Sequence, residues 1–454
     1  MESNIISADV ILTPINDIKS EVKVYFNIPV FPNSLITNKI SFAIFFNDQK
    51  LFKLDKNYPI FIQTDAEIHD LDWLNSLFET DLKFNGIFKI HIRSQKFKNN
   101  YWNTQGIIEG KQISIIQIEE GIRLINGNLL ANINNEKLTI ESFHFPTVLK
   151  FIPSNSKVRE WVDKKLDIQN GYAKIAGSFY LNTGKGEFKI FMNQFPIIQR
   201  PDRYIISSGK IITSLSNLTD IKIDGQLIAN TGLVNIEYVP QILDDDVIQT
   251  GNSIAIKKTS ISALKKIKLK FDTGYYFRLT GLGLDTGLIG SITFNLKEEN
   301  KALISSGVLH TTSDGTIEAY GQRLKLRHGQ LFFQGSLNNP HLDIEALRVG
   351  EQIEAGIHIQ KTAQRPKISL ISYPNVNDLE KLSWLILGRE SDDIADKALL
   401  ISIGNALLNG KLQLFKQLGL SDIRARKGDI GGNWSGYYQI KRQQAFLARI
   451  ILIM

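Results

Sequence analysis

Apolar and polar residues alternate along most of this chain. Val22, Val24, Phe26 and Ile28 are separated by Lys23, Tyr25 and Asn27, and Phe88, Ile90 and Ile92 by Lys89 and His91. Successive residues of a strand point to opposite faces, so each run predicts a strand with one apolar and one wet side. The pattern is densest between 321 and 374. There Leu324 and Leu326 alternate with Lys325 and Arg327, Leu331 and Phe333 with Gln330 and Gln334, and Ile353, Ala355, Ile357 and Ile359 with Glu354, Gly356, His358 and Gln360. Asn85-Gly86, Asn126-Gly127, Asn170-Gly171, Asp224-Gly225 and Asp314-Gly315 supply turn signals between runs. The expectation is an all-β meander in which sequential hairpins extend one long antiparallel sheet. A loose unit of turn, strand, turn and strand recurs at 125–145, 168–192 and 221–236, sharing pattern more than letters.

Two segments depart from the period of two. Residues 241–270 hold Asp244 to Asp246 and then Lys265, Lys266, Lys268 and Lys270, which predicts a surface loop followed by a strand. The triplet lacks the glycine and glutamate of a calcium loop. Helix is predicted only late: Asn377 caps the segment DLEKLSWLILG, Glu380 completes a capping box, and Gly388 ends it. Further helices are predicted over about 394–408 and 411–418, before strand pattern resumes near 421. A helical insert between β segments is expected to plug or cap the sheet.

At the usual spacing, about 30 strands would make a sheet extending past ~100 Å. Such a sheet has more apolar face than a compact core needs. It can close, pair with another sheet, or curl into an open trough. Acyl chains are the obvious filling of a trough, since covering each methylene is worth roughly 0.8 kcal/mol. The residues expected to form that lipid-facing wall are Phe277, Leu279, Ile292 and Phe294, then Leu324, Leu326, Leu331 and Phe333. Leu342, Ile344, Ile353, Ile357, Ile359, Ile368 and Leu370 complete it.

Composition narrows the function classes. At 454 residues, with 43% hydrophobic and 22% charged content, the chain is an ordinary folded protein. The net charge of +7 resides mostly in strand positions that alternate with apolar ones, which describes a solvated outer face. Attraction to anionic headgroups is a second reading. Basic residues are not interleaved with aromatics in a recognisable module, so nucleic acid is not an expected partner. The absence of cysteine excludes disulfides and thiolate metal sites and suits an oxidising compartment. The N-terminal sequence shows neither a signal peptide nor a membrane anchor.

Catalytic patterns fail one by one. His69, His91, His144, His310, His328, His341 and His358 are scattered without metal-ligand spacing and suit an outer polar face. Gly281 to Gly287 resembles a nucleotide loop, yet strand pattern follows it, and Gly184-Lys185-Gly186 lacks the rest of a P-loop. Both clusters predict tight turns or bulges. No nucleophile elbow is present. No enzyme activity, cofactor or metal is expected.

Several motifs together resemble the C-terminal domain of the TamB family. They are the run Phe277 to Gly290, Tyr320-Gly321-Gln322, Gly329 to Gly335 and Asn339 to Ala346, with Ser372-Tyr373-Pro374, Leu385 to Arg389 and Arg426 to Gly432. The resemblance is specific over about 270–432 and extends by pattern from about 110. It implies an open hydrophobic trough of the β-taco, AsmA-like kind, in the periplasm of a Gram-negative bacterium. It further implies an inner-membrane anchor, a TamA-like outer-membrane assembly barrel as partner, passage of phospholipid between the membranes, and support of autotransporter assembly and protein secretion. On this reading 1–110 and 111–376 are trough, 377–418 a helical insert, 419–432 a resumed strand and 433–454 an aberrant tail. The family's anchor is not in this sequence and its terminal strands are not recognisable after Gly432, so a member shortened at both ends is expected. Two other readings stand beside it: an assembly factor that pairs its sheet edge with client strands, and an exported adhesive β-solenoid.

Overall fold

A computed structural model describes residues 7–30, 34–46, 52–69, 82–97, 102–217, 220–236, 264–281, 283–296, 302–319, 321–350 and 352–390. The fold is all-β: 22 strands belong to one large, mostly antiparallel sheet, with two α-helices among the described residues. The acidic triplet, the two later helices, the resumed strand and the tail lie outside the described residues. The chain forms two compact units. The first takes the described residues up to Leu149 with Asp167–Ile197 and Lys210–Lys222, the second Lys150–Leu166, Ile198–Gly209 and the described residues from Ile223 onward.

In the first unit the strands follow one another as a meander. β1 (Ser7–Asn16), β2 (Lys19–Val30) and β3 (Ser34–Phe46) pair in order; β4 (Phe52–Leu54) and β5 (Ile60–Ile68) both pair with β3. β6 (Leu82–Lys96), β7 (Trp102–Gln117), β8 (Ile122–Asn134), β9 (Lys137–Pro146), β10 (Tyr172–Tyr180) and β11 (Lys185–Gln199) continue the series. Two expected turns prove to be strand interiors. The register shifts between Asn85 and Ile87 within β6, and in the β7–β8 pairing close to Asn126, which has φ +60°. The left-handed backbone that suits Asn-Gly to a hairpin also suits it to a bulge. Asp224-Gly225 likewise lies inside β13 (Ile221–Asn235), and β12 (Arg203–Leu215) precedes it. The Gly184 and Gly281 clusters do form turns, between β10 and β11 and between β15 (Phe277–Gly281) and β16 (Leu284–Leu296).

In the second unit β13 runs parallel to β15 from Gly232 to Asn235. β14 (Leu264–Asp272) and β15 both pair antiparallel with β16. The meander then continues through β17 (Leu303–Thr311), β18 (Thr316–Ala319), β19 (Gln322–Gly335), β20 (His341–Arg348), β21 (Glu354–Thr362) and β22 (Arg365–Tyr373). β19 carries a bulge: Leu326 faces Ala346 but His328 faces Glu345, leaving Arg327 as the extra residue. Leu326 before it and Leu331 after it therefore reach the same face.

One helix was not expected. α1 (Ser156–Lys165) starts where the Asn155 side chain accepts from the Val158 amide, buries Val158 and Val162, and ends on Lys164 and Lys165, which oppose the helix dipole. Lys157 pairs with Asp314, and the Trp161 ring packs tilted against Tyr276 with centroids 5.5 Å apart. α2 (Asp378–Ile386) is the expected late helix. Asn377 accepts from the Glu380 amide at 3.0 Å, and its side-chain amide donates to the Glu380 carboxylate at 3.2 Å. Gly388, at φ +74°, donates back to the Ser383 carbonyl and closes the C-terminus.

Candidate functional site

The first unit carries an unbroken apolar row across nine strands. Ile28 faces Ile36, Ile36 faces Ala66, Ala66 faces Ile90 and Ile90 faces Ile108. Ile108 faces Ala131, which faces Ile140; Gly177 then lies between Ile140 and Phe188. At the normal interstrand spacing the row is about 38 Å long. A parallel row runs Phe88, Gly110, Leu129, Phe143, Ile175 and Ile190. Most of these large side chains, Ile36, Ile90, Ile108, Leu129, Ile140 and Phe188 among them, are only half-buried.

The opposite face is ionic. Glu67 faces Lys89 and Asp65 faces His91, with contacts of 3.0 and 2.8 Å. The hydrogen bond from His91 outweighs burial and, with one from Gln63, holds Asp65 below the usual carboxylate range. Lys89 does the same for Glu67. In the second unit His358 reaches diagonally to Asp343 on the neighbouring strand, at 2.6 Å. Such solvent-facing pairs add little stability but set which face stays wet.

In the second unit most of the residues expected to form a wall share one sheet face in cross-strand rows. Leu326, Ala346, Ile357 and Leu370 form one cross-strand row, and Ile344, Ile359 and Ile368 the next. Leu309, Leu331 and Leu342 form a third, and Phe271, Ile292, Gly307 and Phe333 a fourth. Phe294 faces Leu269, Leu324 faces Ile317, and Leu279 faces Thr286 on the same side, two residues from Phe277. Ile353 precedes β21 and lies outside these rows.

Part of this wall is already occupied by the chain itself. Leu385 of α2 packs in one cluster with Leu324, Leu326, Ala346, Ala355 and Ile357, and Trp384 lies against it. Leu324, Ile357 and Leu385 are each 0% exposed. Arg348 donates to the Leu385 and Ile386 carbonyls at 3.0 and 2.9 Å, and Gln322 to Ile386 at 3.2 Å, so the end of α2 is tied down. By contrast Leu279, Leu342, Ile353, Ile368 and Leu370 are half-buried. Asn377 and Glu380 act only as the cap of α2.

The family model of the TamB C-terminal domain matches residues 165–444. The chain belongs to the TamB family. The match begins well before the motifs at 270 and contains every wall residue expected from sequence. A TamB-family relative, the translocation and assembly module subunit TamB of Haemophilus influenzae, is 23% identical over 435 residues, covering 85% of this chain and 33% of its own length. The chain thus spans about a third of the curated relative it matches. The open rows of the first unit lie mainly before the family-model match. The same alternation that marks the second unit marks them too, most visibly in β6, although the wall residues expected from sequence begin only at Phe277.

Among the described residues no helix is long and apolar enough to cross a membrane. Nor do His, Asp or Glu side chains there gather into a group that could hold a metal ion.

Proposed function

We propose that this chain is a working part of a translocation and assembly module in a Gram-negative envelope, and that its apolar sheet face is the wall of an open periplasmic trough for phospholipid acyl chains. The half-buried rows of the first unit carry this reading. Each strand adds one similar apolar step, which lets a chain of methylenes exchange contacts one for another as it moves, at roughly 0.8 kcal/mol per methylene covered. The wet face, with its paired charges, keeps the same strands in register in water. A TamA-like barrel at the outer membrane is the partner that the family suggests, and autotransporter assembly and secretion are the processes it would serve.

Photoreactive residues at Ile90, Ile108 and Ile140 in living cells are expected to capture phospholipid. The same probes at Glu67, Lys89 and Glu109, on the opposite face, are expected not to. Equal capture on both faces rejects the trough.

A second reading, assembly by strand pairing, is favoured by β1. Every residue of that strand is exposed, Val10, Ile11 and Leu12 each by half or more, and an exposed apolar strand invites another strand. Protein adducts from Ile11 without lipid adducts from Ile90 would favour it.

A further inference from the structure

On the wet face of the first unit two adjacent rows cross β2, β3, β5, β6 and β7. One runs Lys23, Ser41, Phe61, Gln95 and Asn103; the other Tyr25, Lys39, Gln63, Arg93 and Gln105. Nine of these ten, all but Tyr25, line a hollow of about 390 Å³. The lining holds three cations and no carboxylate. Two carboxylates approach it: Glu21, 3.3 Å from the Lys23 ammonium, and Asp65, held by Gln63 and His91. Lys39 stands 5.4 Å from the Tyr25 ring.

Lys39 and Arg93 are two strands apart with Gln63 between them, about 10 Å. Cations anchored on separate strands, with Lys23 on a third, match acidic groups spaced along an extended polymer. Around them the amides of Gln63, Gln95, Asn103 and Gln105 can each donate and accept, the complement of vicinal hydroxyls. Phe61, 42% exposed, offers an apolar ring to the C–H face of a sugar. We propose that this hollow binds an acidic polysaccharide, its carboxylates on Lys39, Arg93 and Lys23 and its hydroxyls on the amide rows.

The test is binding of the full chain to polygalacturonate at physiological salt, with dextran and poly-L-glutamate as comparators. Polygalacturonate should bind; dextran, which lacks charge, and polyglutamate, which lacks sugar rings, should bind at least roughly tenfold more weakly. The K39E/R93E double variant should lose about tenfold in affinity, and F61S should weaken polygalacturonate more than polyglutamate. K268E/K270E makes the same change in net charge on exposed lysines of β14 and should leave binding unchanged. Circular dichroism checks that each variant is folded, and K39Q/R93Q replaces the reversal if it is not. No binding to polygalacturonate, equal binding to polyglutamate, or equal loss in K268E/K270E overturns the proposal.

Discussion

Arg278 of β15 donates to the Asp314 carboxylate at 2.7 Å, across 36 residues of sequence. The guanidinium is 3% exposed and also donates to Asp285 at 2.6 Å, whereas the two carboxylates keep 41% and 47% of their surface. The cation depends on the pairs more than the anions do. R278M removes the buried charge and lets both acids return to water. D285N/D314N instead leaves a buried guanidinium without charge compensation, which typically costs about 3–5 kcal/mol. The double variant should therefore lower the urea midpoint more than R278M does; the reverse order would show that the acids, not the cation, are the strained partners.

Asp314 also predicts an acid response. Burial raises its pKa, but hydrogen bonds from Lys157, Thr312 and Arg278, with the Arg278 charge, outweigh it and hold the group well below the ordinary carboxylate range. Its folded pKa is depressed, so its contribution is present above the unfolded value, about 3.9. The contribution is lost as pH falls below that value toward the folded one. Denaturation midpoints of the wild type and D314N should differ at pH 7 and converge below pH of about 4. A gap that is constant with pH would dissociate Asp314 from the effect.

Tyr204 is completely buried and its hydroxyl has no hydrogen-bond partner. Desolvation pushes the phenol well above its usual range. An unpaired buried hydroxyl costs roughly 1–3 kcal/mol, so Y204F should leave stability unchanged or raise the melting temperature. A marked fall would reveal a partner for the hydroxyl.

Leu385 closes part of the apolar face. L385A should cost about 2–5 kcal/mol through the cavity it leaves. If α2 guards the face, the same substitution should raise lipid capture at Ile357 while leaving capture at Ile90 unchanged. A loss of stability without a change in capture would make α2 a core element only.

The face of each strand was legible in the sequence because a period of two records it directly. Leu324, Leu326, Ile344, Ile357 and Ile359 lie together as their alternation required. Which part of that face stays open was not legible, since it depends on α2 packing from a distant part of the chain. α1 escaped notice because only Val158, Trp161 and Val162 mark its apolar stripe within a short polar segment. Asn85-Gly86 and Asn126-Gly127 misled for a chemical reason: the positive-φ backbone of Gly86 and Asn126 serves a turn and a bulge equally. The Lys39–Arg93 hollow was invisible until strand register set the two side by side with Gln63.

The extra residue at Arg327 has a consequence beyond its own strand. A two-residue alternation is a binary clock, and unless the bulge absorbed Arg327, Leu331 and Phe333 would tick onto the wet side while Leu324 and Leu326 stayed on the dry one. The bulge resets the phase once. Forcing Arg327 into regular pairing would turn one continuous surface into two half-surfaces on opposite sides of the sheet, whereas deleting it would abolish the bulge and leave the surface whole.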